Sequence, residues 1–95
     1  MNFQHQDNGR KGEFFLNNEQ GQRIAEISYV WSNEYTIIAD HTWVDDSLRG
    51  QGMARQLLDH LAEFAREKSL KIIATCSYVL VMFKRDSKAF ADVAA

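Results

Sequence analysis

The sequence predicts an α+β domain built on a mixed sheet: three antiparallel strands, a strand–helix–strand crossover and a C-terminal helix. Three observations carry this expectation. Apolar residues alternate with period two in the first half of the chain, recur at helical spacing from Ala54 to Ala65, and return as a β-rich run at Leu70 to Thr75. No repeat, low-complexity segment or Pro- or Ser-rich linker divides the 95 residues, so the chain reads as one domain.

Each element has its own local reason. The polar stretch 1–12, with Gly9 and Gly12, reads as a flexible leader, and Glu13 to Leu16 as a short first strand. Asn17-Asn18-Glu19-Gln20-Gly21 is a hairpin turn cluster. From Arg23 to Trp31, Ala25, Ile27, Tyr29 and Trp31 alternate with Glu26 and Ser28, the pattern of a half-buried strand. Tyr35 to Val44 reads as a third strand, with Tyr35, Ile37, Ala39, His41 and Trp43 on one face. Its other face is also partly apolar, so the strand is expected to be covered on both sides.

Beyond Asp45-Asp46-Ser47, Leu57, Leu58, Leu61, Phe64 and Ala65 face Arg55, Asp59, His60, Glu63 and Arg66 across a helix. Tyr78 to Lys84 reads as a second helix, and Phe90 and Val93 as anchors for the tail. A first helix of about 19 residues would be about 28 Å long, enough to run back along the sheet. A right-handed crossover makes its flanking strands parallel and brings Val44, Gly50 and Cys76 to one carboxyl edge, where open α/β sheets bind ligands.

Composition narrows the partners. Eleven Lys and Arg against thirteen Asp and Glu leave a net charge of −2, without the cationic excess expected of a nucleic-acid or anionic-membrane binder. No apolar run reaches the roughly 20 residues of a spanning helix. The one cysteine, Cys76, rules out an internal disulfide and fits a reducing, cytoplasmic compartment. His5, His41 and His60 have no recognised metal-ligand spacing, so no metal is expected.

At the predicted edge stands Leu48-Arg49-Gly50-Gln51-Gly52-Met53-Ala54, where a strand gives way to a helix. Exposed amides at a helix N-terminus, with small residues that let oxygens approach, make an anion site. The same residues would also serve as a plain helix-starting turn. Walker and dinucleotide patterns fit poorly, since no Lys-Ser or Lys-Thr pair follows and no third small residue completes a longer loop. Asp45 and Asp46 would repel a phosphate unless they point away.

The loop resembles the pyrophosphate motif of the GNAT superfamily of acetyl-coenzyme A dependent N-acetyltransferases: Gln or Arg, two residues, Gly, one residue, Gly or Ala. Arg49, Gly52 and Ala54 fill the fixed positions. His41-Thr42 before the loop and Thr75-Cys76-Ser77-Tyr78 after the next strand extend the similarity to a small single-domain branch, over residues 13 to 93. Ala74 departs from the branch, many of whose members have a proline there. The resemblance implies acetyl-CoA as cosubstrate and a primary amine as acceptor, with the groove for that amine left open. It also implies a pyrophosphate held at Gln51 to Ala54 and a pantetheine arm between the two parallel strands. Val44, Arg49, Gly50, Gln51, Gly52, Met53 and Ala54 are then the cofactor-binding candidates.

Acyl transfer to an amine needs donors for the oxyanion and a proton for the departing thiolate. Cys76, beside the expected thioester, is the sharpest candidate, as acyl acceptor or proton donor; a lone cysteine is also commonly a small buried hydrophobe. Tyr78 reads either as a proton donor or as a packing aromatic. His41 reads either as a general base or as a hydrogen-bonded structural residue. Trp31 and Trp43 read as core or cleft wall. A coenzyme A binding or acyl-CoA sensing module is the alternative to an enzyme, and a small partner-binding domain is a third reading.

Overall fold

The computed structural model describes residues 3–95. Its strands are β1 (Gln4–Asp7), β2 (Lys11–Asn17), β3 (Arg23–Asn33), β4 (Thr36–Val44) and β5 (Lys71–Ala74). The helices are α1 (Met53–Lys68), α2 (Ser77–Arg85) and the single turn α3 (Ser87–Phe90). The sheet runs in chain order, antiparallel from β1 to β4 and parallel between β4 and β5. The α+β mixed sheet, its crossover and the C-terminal helix are thus as expected. Among the described residues, no helix is long and apolar enough to cross a membrane.

The leader expected over residues 1–12 differs from expectation from residue 3 onward; residues 1 and 2 lie outside the described residues. Gln4–Asp7 is not a loose polar segment but a strand paired with Gly12–Phe15. Its side chains find partners that apolar periodicity does not register. His5 stacks on Phe14 with centroids 4.1 Å apart. Asp7 accepts hydrogen bonds from Tyr29 Oη (2.6 Å), Trp31 Nε1 (3.0 Å) and the Gly9 N–H (2.7 Å). Tyr29 spends its proton on Asp7, so His5 Nε2, 2.7 Å from the phenol oxygen, donates to it. Gly12 leaves room for this tyrosine, since a Cβ there would run into the Tyr29 hydroxyl and ring.

Helix α1 lies across one sheet face because its apolar positions fall on one stripe. Met53, Leu57, Leu58, Leu61, Ala62 and Ala65 are buried, against Ala25, Ile27, Tyr29, Ile37, Ala39 and Ile72 of the sheet. Val79 of α2 joins the same core, as do Phe90 and Val93, the anchors expected in the tail. The helix is 16 residues long and ends on Ser69 in the left-handed region (φ 57°).

β4 contains the feature that alternation misses. Ser28 pairs with His41 but Tyr29 pairs with Ala39, so Asp40 is an extra residue in a β-bulge. One added residue exchanges the faces beyond it. Thr42 and Val44 therefore join Ile37 and Ala39 on the helix side, opposite buried Ile27 and Ala25, while His41 and Trp43 turn to the other face opposite Ser28 and Glu26. That other face is open rather than covered: Asp40, His41, Trp43 and Ile73 are exposed on it.

Candidate active site

The site begins where β4 and β5 part. Their pairing runs from Thr36 with Lys71 to Ala39 with Ala74. At its end the Ala39 carbonyl accepts from the N–H of Thr75 (3.1 Å), the N–H of Cys76 (3.0 Å) and Thr75 Oγ1 (3.3 Å). Past this knot, β4 is paired only with β3 among the described residues. The Asp45 N–H reaches Ile24 O at 2.8 Å, so alternation directs the main-chain groups of Trp43 and His41 to β3 and those of Thr42 and Val44 into the splay. Val44 thus stands at the mouth of a V whose β4 wall carries unpaired amide groups.

The loop closing the wide end is organised by its own acidic residues. Asp45 opens a 3₁₀ turn at Asp46–Leu48, accepting from Ser47 Oγ (2.6 Å) and the Ser47 N–H (3.0 Å). Those two bonds hold its carboxyl below the usual range. Asp46 pairs with Arg49 at 2.9 Å, both strongly exposed. Asp46 is thus turned to solvent and paired with Arg49, which answers the objection it raises and leaves Arg49 engaged; Asp45 keeps its charge and lines the cleft ahead of α1, so its repulsion of an anion stands.

Gly50 (φ 82°) and Gly52 (φ 67°) are left-handed, with open space where a Cβ would lie. Glycine is needed here for backbone conformation and not for lack of room. Gly52 caps α1 without a side chain, and the first helical bond runs from the Gln56 N–H to Gly52 O at 3.1 Å. The N–H groups of Met53, Ala54 and Arg55 precede that bond and have no hydrogen-bond partner among the described residues. Gln51 is differently placed: its N–H closes a turn onto Leu48 O (3.3 Å), its carbonyl accepts from Gln56 Nε2 (3.3 Å), and its side chain is exposed.

A cleft of about 320 Å³ joins Val44, Leu48, Gly50, Gly52 and the first turn of α1 to Tyr78. Arg55 lines it too, a residue that helical periodicity assigns only to a solvated face. Its guanidinium bridges Asp59 (2.9 Å) and Asp86 (2.9 Å) and lies 4.9 Å from the Phe90 ring centroid. It ties the start of α1 to the α2–α3 junction at the cleft wall.

The three catalytic candidates are not all together. Cys76 is the N-cap residue of α2 and Tyr78 sits in its first turn. The Cys76 thiol does not cap the helix; its S–H donates across the splay to Thr42 Oγ1 at 3.4 Å. Burial pushes the Tyr78 hydroxyl up, Arg55 and Arg85 pull it down, Asp59 and Cys76 push it up, and the net direction is upward. His41, turned by the bulge, lies on the opposite face with Nε2 3.9 Å from Glu26 and a side chain 56% exposed. Trp43 is exposed on that same face, whereas Trp31 is half-buried against the core. Thr42 and Arg55 are the site residues that sequence reasoning missed. The His41-Thr42 pair held a signal for Thr42, but only the bulge tells which of the two turns inward.

Known proteins share this fold. The family model described as GCN5-related N-acetyl-transferase matches residues 13–93. Protein NATD1 of Xenopus tropicalis is 34% identical over 55 residues, 58% of this chain and 50% of that protein, so the match spans half of the curated relative. The solution structure of a GCN5-like protein from Staphylococcus aureus superposes with a TM-score of 0.75 at 35% identity, covering 97% of this chain and 87% of that one. Tetrahymena GCN5 superposes at 0.65 with 6% identity over 83% of this chain and 51% of its own, a likeness of fold alone. A splayed parallel pair, a glycine loop ahead of α1 and a family match over most of the sequence lead to one conclusion: the chain belongs to the GCN5-related N-acetyltransferase family.

Proposed function

We propose that the chain binds acetyl-CoA and transfers its acetyl group to a primary amine. The observation that carries this reading is the coincidence, at one sheet edge, of the β4–β5 splay and the unpartnered amides that open α1. The residues fit the cosubstrate. The N–H groups of Met53, Ala54 and Arg55, with the positive end of a 16-residue helix behind them, suit a diphosphate. Left-handed Gly50 and Gly52 keep that approach free of side chains. The unpaired main-chain groups of Thr42 and Val44 suit the amides of a pantetheine arm, which would lie in the splay as a strand does. Arg49 is placed to exchange Asp46 for a phosphate, and Gln51 to support the turn rather than to supply an amide. Acetyl-CoA, when bound, supplies an acyl carbon activated as a thioester.

The chain's own groups would then handle protons. Tyr78, with its hydroxyl pushed up, stays protonated at neutral pH and is a donor, not a base. Cys76 holds a second proton at the narrow end of the splay, available to a departing thiolate, or offers its sulfur as an acyl acceptor. An amine arriving from the open face meets His41 beside Glu26 as a proton acceptor. Transfer through a free cysteine fits a reducing, cytoplasmic compartment.

Two measurements test the reading. Calorimetry with acetyl-CoA is expected to show binding that Gly52→Val abolishes, and a free-thiol assay is expected to show release with at least one amine of a primary-amine panel. No heat and no shift of the Gly52 amide resonance at millimolar acetyl-CoA would end it. The separation of His41 from Cys76 and Tyr78 favours a second reading, a coenzyme A binding or acyl-CoA sensing module. Binding without thiol release for any amine would select that one.

A further inference from the structure

We propose that Thr42 is a positioning residue for Cys76, its hydroxyl holding the sulfur across the splay as thiol and as thiolate alike. The inference rests on the reading of Cys76 as a working group of the site. Three features of the geometry point to it. The main chain of Cys76 is fixed to β4 through the Ala39 carbonyl, with its N–H at 3.0 Å, so the sulfur's place is set by one side-chain torsion. That torsion directs Sγ to Thr42 Oγ1 at 3.4 Å instead of to the N-terminal amides of α2, although Cys76 occupies the capping position. Among the described residues the Thr42 hydroxyl has no other hydrogen-bond partner.

The bulge supplies an independent argument. Without the extra residue Asp40, position 42 would turn to the open face and position 41 to the helix side. Bulges re-aim side chains beside active sites, and this one turns a histidine away from the cysteine and a hydroxyl toward it. The chemical difference matters. A histidine beside the sulfur would form an ion pair with the thiolate, whereas a hydroxyl serves either proton state without a charge. It accepts from the S–H, as seen here, and after a rotation about Cβ–Oγ it donates to S⁻. When Cys76 gives its proton to a leaving thiolate, that rotation keeps the new cysteine thiolate hydrogen-bonded. The same donor serves if the cysteine thiolate is instead the acyl acceptor.

The test compares Thr42→Val, which keeps the volume and removes the hydroxyl, with Thr42→Ser, which keeps the hydroxyl. Loss of one hydrogen bond of about 1 kcal/mol corresponds to a change of about fivefold in rate. In Thr42→Val the rate of Cys76 alkylation by iodoacetamide at neutral pH is expected to fall by that factor, because the hydroxyl, though it bonds both proton states, bonds the charged thiolate more strongly than the thiol. The kcat for acetyl transfer is expected to fall about as far, with KM for acetyl-CoA within twofold, and Thr42→Ser is expected to restore both. Unchanged alkylation in Thr42→Val, or Thr42→Ser as impaired as Thr42→Val, would overturn the proposal. If Thr42→Val does not fold, Thr42→Ala against Thr42→Ser decides by the same readouts. Alkylation needs no acetyl-CoA, so it decides the role of Thr42 even if the wild type proves to transfer nothing.

Discussion

At the residue scale, two glycines do different jobs and fail differently. Gly52 is left-handed with free space around it, so Gly52→Ala meets only backbone strain, about 1–2 kcal/mol for an L-residue in that region. Urea unfolding is expected to register that loss, and calorimetry a loss of acetyl-CoA affinity, because the strained loop also carries the proposed anion site. Gly12 has an ordinary φ but abuts the Tyr29 hydroxyl and ring. Gly12→Ala overpacks a buried tyrosine and is expected to cost about 1–3 kcal/mol in unfolding, with acetyl-CoA affinity unchanged in the folded protein. Equal effects of the two substitutions on affinity would contradict this division. Both glycines are visible in the chain as letters. What separates them is a backbone angle at one and a neighbouring phenol at the other.

At the element scale, β1 is held by polar side chains, and so its attachment depends on pH. Burial lowers the His5 imidazole below its ordinary value, partly opposed by Asp7 and reinforced by Lys68. Burial raises the Asp7 carboxyl, but the hydrogen bonds from Tyr29, Gly9 and Trp31, together with His5, outweigh it and leave it lowered. Both groups then bind protons more readily in the unfolded chain, so stability rises with pH across their titration ranges. The His5 contribution is complete above about pH 6.5 and is lost as pH falls below that, and the Asp7 contribution is lost below about pH 4. Urea midpoints measured from pH 7.5 down to 5 are expected to fall in the wild type and to fall less in His5→Gln, which keeps a donor for Tyr29 without titrating in this range. Identical slopes would remove His5 from the account. A strand whose side chains are all polar offers no apolar alternation, and for that reason its sequence reads as a leader.

At the scale of the whole molecule, one core under α1 also positions the site. Leu61 is fully buried in it, and Leu61→Ala is expected to cost about 2–5 kcal/mol in equilibrium unfolding, a large share of the stability of a domain this size. The same core extends through Val79 to Phe90 and Val93. The tail then runs along the edge of β5, with the Ile72 N–H donating to Val93 O (2.6 Å) and the Ala95 N–H to Ile72 O (2.9 Å). Arg66 fastens it through Asp92 (2.6 Å) and the Ala89 carbonyl (2.6 Å). Removing residues 91–95 frees the edge of β5, the strand that leads into Cys76. It is expected to lower the thermal midpoint and to speed amide exchange in β5 before β2 or β3, as read by hydrogen exchange. Exchange that quickens uniformly over the sheet would show that the tail has no such local role.

Period and glycine placement determined what could be read from the chain alone: the strands from Glu13 to Val44, the long helix, the crossover and the loop at its start. These are local properties, set by the 2.0 and 3.6 residue repeats and by the few residues that tolerate left-handed backbone. The tertiary structure decided the rest. An unpaired residue at Asp40 exchanged the faces of β4, so Thr42 and not His41 meets Cys76. A buried phenol and a half-buried indole gave the polar first strand its partners, and Asp86, thirty-one residues away in the chain, drew Arg55 to the wall of the cleft. A bulge, a hydrogen-bonded strand and a bridging arginine each depend on what lies opposite in space, and a repeat along the chain carries no record of that.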